Sequence, residues 1–347
     1  MPDPQPLSRR RLLRLGTAAG LSLAALGLGG CGGTGPRLVG TRGDLPAAWT
    51  SRLPKSWQVL LLDDPAAVIA ATGTLPGRRA ETALPPALLQ LSDGWATGLP
   101  ARALQPIGTT ALLERLDRQA APVARLFRSL EAPAVAFPWS LNPWVLVLRD
   151  RPDLARRGGE GWDLLLDPSL RGRLVLPASP RVCLALMEED PGRVRQLRAQ
   201  VLAHDDRDGL SLLLDGHAEA AVLPRQRVMP LLRRDPRLAV VVPPQGGPLS
   251  WNLLLSPAGA PEVPLDWLAE PLEPPLLTSL LAAGWVPPLP EAALTAALAR
   301  FPAAQRALLL PPAAVRARWR DLPPLRSGER ARLQAIWDGA AAPAGAG

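Results

Sequence analysis

The chain has 347 residues, a formal net charge of +8, two cysteines and two histidines. That length points to two lobes rather than one core. The cysteine and histidine counts exclude a disulfide scaffold and give no metal-ligand spacing. Arginines are spread without a basic run, which excludes a nucleic-acid-binding stripe, and eleven Trp against three Phe and no Tyr make tryptophan the main aromatic surface.

The N terminus reads Ser8-Arg-Arg-Arg-Leu-Leu-Arg14, then a small apolar run over 15–30, then Cys31. A basic head with so short a run is a secretory signal, because a spanning helix needs about 20 apolar residues. The head resembles a twin-arginine export signal, and Leu28-Gly29-Gly30-Cys31 resembles a bacterial lipobox with Cys31 as the lipid attachment site. Residues 1–30 are expected to be the export signal and 31–50 a lipid-anchored tether. Two or three acyl chains hold a protein stably at a membrane, where one chain holds only marginally. The four arginines of residues 1–30 against Asp3 make +3 there, leaving +5 of the +8 for the rest. Cys183, in Val182-Cys-Leu-Ala-Leu-Met187, then has no cysteine partner and reads as a core residue.

Trp57-Gln-Val-Leu-Leu-Leu62 reads as a first strand, with a short helix over 66–72. Residues 87–91 read as a second buried strand, followed at once by the loop Ser92-Asp93-Gly94-Trp95. Ligands of open α/β sheets sit at the carboxyl ends of strands, so Asp93 is a candidate acceptor and Trp95 a candidate wall. The other reading of that loop is an ordinary turn. Residues 111–130 read as two helices broken at Ala121-Pro122, with Pro122 at the first position of the second.

Ala134-Val-Ala-Phe-Pro-Trp-Ser-Leu-Asn-Pro-Trp-Val-Leu-Val-Leu148 ends in a buried strand over 145–148. The loop expected before it crowds Trp139, Ser140, Asn142 and Trp144 beside two prolines. Trp139 and Trp144 are candidate cleft walls, the alternative being plugs beneath a sheet. Trp162-Asp-Leu-Leu-Leu-Asp-Pro-Ser-Leu-Arg-Gly-Arg-Leu174 gives a helical turn, a stop at Asp167-Pro168 and a strand over 173–176. Helices over 181–188 and 191–203, then a helix end and strand over 211–223, follow.

Val240-Val-Val-Pro-Pro-Gln-Gly-Gly-Pro-Leu-Ser-Trp-Asn-Leu-Leu-Leu255 reads as two buried strands around a glycine-rich crossing from one lobe to the other. Ser250, Trp251 and Asn252 are placed there to face a cleft. Helices over 265–270 and 275–283, a stiff loop carrying Trp285 in Gly284-Trp-Val-Pro-Pro288, and four more helices over 291–337 complete the body. Residues 339–347 read as a disordered tail.

Taken in order, Asp93-Gly94-Trp95, the Trp162 to Leu174 segment, Pro243-Pro-Gln-Gly-Gly247 with Trp251-Asn252, and Gly284-Trp-Val-Pro-Pro288 resemble periplasmic solute-binding proteins of ABC transporters. The spermidine/putrescine-binding branch is the nearest in pattern, over roughly residues 57–290. The resemblance implies an α/β, type II two-lobe periplasmic-binding-protein fold with discontinuous lobes and a hinge. Lobe 1 is expected at 51–138 plus 251–290, and lobe 2 at 139–250 plus 291–338. It implies carboxylates for ammonium groups and aromatic rings for the methylene chain, consistent with the need to pair a buried charge. Aligned from Gly247, Asn252 falls where polyamine binders carry an aspartate, and Ser250 where they carry an aromatic residue.

The expected function is a monomeric periplasmic lipoprotein that delivers a small solute, with a polyamine-like cation as the leading ligand, to an ABC permease. The expected ligand residues are Asp93, Trp95, Trp139, Trp144, Ser250, Trp251, Asn252 and Trp285, with no cofactor and no metal. The alternative is an exported two-lobe lipoprotein with a protein partner or a non-cationic ligand. An exported enzyme is disfavoured, since no Gly-x-Ser-x-Gly elbow, Cys–His pair or phosphate-cradling loop is present.

Overall fold

The computed structural model describes residues 35–73, 86–205 and 207–340. The expected export signal, Cys31 and residues 341–347 of the expected 339–347 tail lie outside the described residues; Gly339 instead ends the helix Ser327–Gly339, and Ala340 is buried in the second core. The strands are β1 (Arg37–Thr41), β2 (Gln58–Leu62), β3 (Leu88–Ser92), β4 (Leu104–Gln105), β5 (Ala136–Arg149), β6 (Leu174–Leu176), β7 (Val201–His204), β8 (Ala220–Pro224), β9 (Leu238–Val241), β10 (Gly247–Pro257) and β11 (Trp319–Arg320). They form one sheet whose main order is β2-β1-β3-β10-β5-β8-β6-β7.

Two parallel sets meet through two long antiparallel strands. β1 pairs parallel with β2 and β3, and β6 pairs parallel with β7 and β8. β5 and β10 run between the sets. The first half of β5 pairs with β10, and its second half pairs with β8 and β9. The chain therefore crosses between two lobes in the middle of strands, and a third time near β11, which pairs with Gly247 and Pro248.

Each lobe has its own core. The first gathers Leu38, Leu88, Phe137, Trp251, Leu280 and Leu298, among others. The second lobe buries both faces of its strands: Leu146, Leu148 and Val222 face one cluster, and Val145, Val147 and Leu223 face another. That alternation is the period of two of a strand covered on both sides.

Several expectations are corrected. Residues 37–41 do not fit the expected 31–50 tether, because Arg37–Thr41 is a strand with Leu38 and Val39 buried in the first core. The helices Glu291–Leu298 and Ala303–Leu309, expected in the second lobe, set Leu294, Leu298 and Leu309 into the first core. The expected loop at 139–144 is strand: β5 runs 14 residues straight through Pro138 and Pro143. Likewise Ser250 to Asn252 lie inside β10 rather than in a loop. The pair of helices at 111–130 is two short turns, Thr110–Leu113 and Ala120–Ala124, with Pro122 third in the latter. Val201 and Leu202 leave the helix Pro191–Gln200 to form β7.

The glycine-rich crossing needs its glycines. Gly246 has φ +75°, and a Cβ there would lie 2.4 Å from the carbonyl oxygen of Arg318. Trp162 donates its Nε1–H to the Gly246 carbonyl at 2.7 Å, and its ring packs over Gly247. The patterned Trp162 segment thus braces the turn into β10.

Candidate functional site

The strand period decides what faces the cleft. Along β10, Leu249, Trp251 and Leu253 point into the first core, whereas Ser250 and Asn252 line a cavity. Asn252 stands opposite Ser92 of β3 and Ser140 of β5, and Ser250 stands opposite Asn142. The crossing strands therefore carry a polar row on one face and an apolar row on the other.

Tryptophan sits mostly on the apolar row. Trp139 is fully buried, 5.1 Å from Trp49 and 5.0 Å from Trp285 between ring centroids. Trp49 stacks on Trp267 at 4.4 Å, and each indole N–H donates to the other residue's carbonyl at 3.0 Å. Each of these indoles covers a large apolar area, and those of Trp49 and Trp267 also have a polar partner. Trp251 is fully buried and donates Nε1–H to Asp321 Oδ1 at 2.7 Å. Trp139, Trp251 and Trp285 are thus core residues rather than cleft walls, and for Trp139 this is the alternative of a plug beneath the sheet.

The other five expected site residues converge. Two cavities of about 500 and 480 Å³ share Ser92, Trp95, Trp144 and Ser250 in their linings. Asp93 lines the first and Asn252 the second. Trp95 is 44% exposed, the most exposed of the tryptophans, and faces the cavities rather than a core. Both cavities lie where the carboxyl ends of the parallel strands of the two lobes meet. Thr41, Ser92 and Pro224 close β1, β3 and β8 there.

Sequence reasoning missed Asp44, Arg207, Gln226 and Arg227, which line the second cavity. Asp44 and Arg207 occupy loops after β1 and β7, and Gln226 and Arg227 the short helix Arg225–Val228 after β8. The strand-end rule that found Asp93 would have found Asp44 had β1 been recognised as a strand. Away from these cavities, Asp163 pairs with Arg193 on the surface and Asp215 is exposed at a helix end.

The carboxylates differ in what already satisfies them. Asp63 pairs with Arg42 at 3.2 Å, and Asp64 caps the helix Pro65–Ala70 through the Ala67 N–H at 2.8 Å. Asp93 accepts the Trp251 backbone N–H at 3.1 Å. Burial is the larger effect and pushes its carboxyl up to about 7, with Asp321 adding to the rise. Burial likewise pushes Asp44 up to about 6, against the opposing field of Arg227. Both groups would hold a cation more readily than they hold bare negative charge.

Below the cleft floor the Thr41 N–H donates to Gln90 Oε1 at 3.1 Å, and Gln90 Nε2 donates to Asn252 Oδ1 at 3.2 Å. On the second-lobe side Arg181 donates to the Leu322 and Pro323 carbonyls, which ties the third crossing to the helix Pro180–Leu186. Arg225, fully buried, sends Nη1 to the Leu308 and Leu309 carbonyls, each at 3.1 Å. Those carbonyls end the helix Ala303–Leu309, where the dipole favours a cation.

No family model matches the chain, and no curated protein matches it. Solved structures do. A spermidine/putrescine ABC transporter substrate-binding protein, PotD, from Streptococcus pneumoniae aligns with TM-score 0.66 at 12% identity, covering 88% of this chain and 98% of that one. A putative spermidine/putrescine ABC transporter from Listeria monocytogenes aligns with TM-score 0.62 at 14% identity over the same shares. The Tp0655 (TpPotD) lipoprotein of Treponema pallidum aligns with TM-score 0.60 at 12% identity, again over 88% and 98%. At these identities the likeness establishes the fold. The expected α/β, two-lobe periplasmic-binding-protein architecture is the architecture of this chain.

Proposed function

We propose that this chain, which has the two-lobe fold of ABC-transporter substrate-binding proteins, captures a small solute between its lobes and delivers it to an ABC permease. The observation that carries the reading is the pair of adjoining cavities at the facing strand ends, walled by Trp95 and Trp144 and flanked by Asp93 and Asp44. Closure is a hinge motion about β5, β10 and the segment following β11, where the chain passes between the two cores.

A polyamine-like cation is the solute class that the named neighbours and the two carboxylates support. Aromatic faces attract ammonium groups, and a buried ammonium needs an anion. Calorimetry and thermal shift with putrescine and spermidine test this. A rise in melting temperature with saturable heat is expected; no response at millimolar ligand removes the cationic reading.

The protein is further proposed to be a periplasmic, monomeric lipoprotein anchored through Cys31 after twin-arginine-type export. The motif at residues 28–31 and the basic head support this. Mass spectrometry of the membrane fraction is expected to find a diacylated or triacylated N-terminal Cys31; an uncleaved N terminus removes the anchor.

A further inference from the structure

The polar row of the crossing strands carries hydrogen-bonding capacity that the fold does not use. Ser140 and Asn142 of β5 are fully buried, and Gln226 is 8% exposed. Ser140 Oγ, both ends of the Asn142 amide and Gln226 Oε1 are buried with no hydrogen-bond partner among the described residues. Asn142 stands opposite Ser250, which lines the second cavity. On its other side Trp144 pairs antiparallel with Pro224, and that register, carried two residues on, brings Gln226 of the same cavity towards Asn142. Arg225, one residue earlier, reaches the Leu141 carbonyl at 3.5 Å, which sets the start of the helix Arg225–Val228 beside β5. An unpaired buried polar group destabilises a fold, and native folds leave few of them. Four such atoms on three neighbouring residues point to a partner from outside the chain.

We infer that Asn142, with Ser140 and Gln226, binds an uncharged hydrogen-bonding group of the solute, a hydroxyl or a primary carboxamide, at the floor of the cleft. The inference rests on the solute-binding reading and narrows its ligand. An amide needs an acceptor for its N–H groups and a donor for its oxygen at once, and a hydroxyl or carboxamide supplies both. An ammonium group supplies donors alone and leaves Asn142 Nδ2 unpaired. It also needs an anion, and the second lobe contributes no carboxylate among the described lining residues. A carboxylate supplies acceptors alone and leaves Asn142 Oδ1 and Gln226 Oε1 unpaired. Arg227 beside them is already committed, donating to the Arg207 carbonyl at 3.1 Å and facing Asp44. The solute is therefore an amine at the Asp93 and Asp44 side and a neutral polar group at Asn142. Gln226 rides on the second lobe, so hinge opening uncovers the Asn142 amide.

The ligand-free protein gives the first test. Asn142→Leu keeps the branching of the side chain and removes its polar atoms. It is expected to raise the melting temperature by at least about 2 °C, because the parent amide is unpaired in the free fold. An unchanged or lower melting temperature overturns the inference. Calorimetry at pH 8 then compares four amines of one chain length: 4-amino-1-butanol, 4-aminobutanamide, putrescine and γ-aminobutyrate. The better of the two neutral-ended amines is expected to bind at least about tenfold tighter than either doubly charged one, about 1.4 kcal/mol. Putrescine or γ-aminobutyrate binding equally tightly overturns the inference and leaves solute binding standing. Silence from all four overturns it too. Asn142→Leu should reduce the preference to less than about threefold, and a preference that survives intact overturns the assignment to Asn142. The solute-binding reading falls separately, if small-angle scattering shows no closure with any member of a general solute library.

Discussion

Gln90 holds Asn252 in one orientation. Its Nε2 donates to Asn252 Oδ1 at 3.2 Å while its own Oε1 accepts the Thr41 N–H at 3.1 Å. The backbone donor fixes which end of the Gln90 amide is which, so position 252 must present an acceptor to it.

An aspartate satisfies that requirement as well as an asparagine and adds a negative charge to the cleft floor. Asn252→Asp is expected to fold normally and to strengthen binding of an amine-bearing solute about tenfold at pH 8, about 1.4 kcal/mol. Calorimetric titration checks this. Unchanged affinity would mean that Asn252 does not face the ammonium group.

Asp93 makes stability depend on pH. Its folded carboxyl is raised to about 7 from an ordinary value near 4, chiefly by burial. The folded state therefore favours the protonated form. The stability this confers is complete below about pH 4 and is lost as pH rises through about 7. Asp93→Asn removes that loss while keeping an acceptor for the Trp251 N–H. From pH 4 to pH 8 the variant should gain on the order of 4 kcal/mol relative to the parent, read by urea unfolding at each pH. Asp44, raised to about 6 for the same reason, is present in both proteins and cancels in the difference.

Trp95 and Trp139 should behave oppositely. Trp95 is 44% exposed on the cleft wall, and Trp139 is fully buried among Trp49 and Trp285. Trp95→Ala is expected to reduce solute affinity at least tenfold with little change in melting temperature. Trp139→Ala should cost about 3–5 kcal/mol of stability. At temperatures where that variant remains folded, its solute affinity should match the parent's. Paired melting and titration experiments on the two variants separate wall from core.

Arg225 links the lobes without a carboxylate partner. Burial pushes its guanidinium down from the usual arginine range, and the Leu308 and Leu309 carbonyls supply the compensating partial charge. Arg225→Ala leaves a cavity and leaves the Leu141, Leu308 and Leu309 carbonyls without this donor, an expected cost of about 3 kcal/mol. Arg225→Met fills the volume and should recover part of it, because a buried charge is often no more stabilising than an apolar group of similar size. Chemical denaturation of the three proteins gives the order directly.

The sequence showed the buried centres of β3, β5 and β10, because Leu88, Leu89, Val145, Val147 and Leu253 to Leu255 form continuous apolar runs. It hid how far β5 and β10 extend. Pro138, Pro143 and Pro248 look like loop punctuation, yet each sits in strand where the N–H it lacks is not required. That error misplaced Trp139 and Trp251. Once 139–144 is strand, odd and even positions part company, and indoles expected on the cleft turn to the core. Asp93, Trp95, Trp144, Ser250 and Asn252 were legible because they follow or interrupt apolar runs. Asp44 and Arg227 were not, since a loop after β1 and a helix after β8, far apart in the chain, come to line one cavity only in the fold.

β5 and β10 also govern the order in which the molecule can be completed during synthesis. Leu38 and Val39 near the beginning share a core with Leu298 and Leu309 near the end, and the strands joining the lobes lie between them. Neither lobe can close while the ribosome still holds the last third of the chain. Contacts between such distant segments form slowly. The emerging polypeptide must therefore remain incompletely packed until its translation is nearly finished, and its earliest exposed apolar strands are where a holding chaperone would be needed.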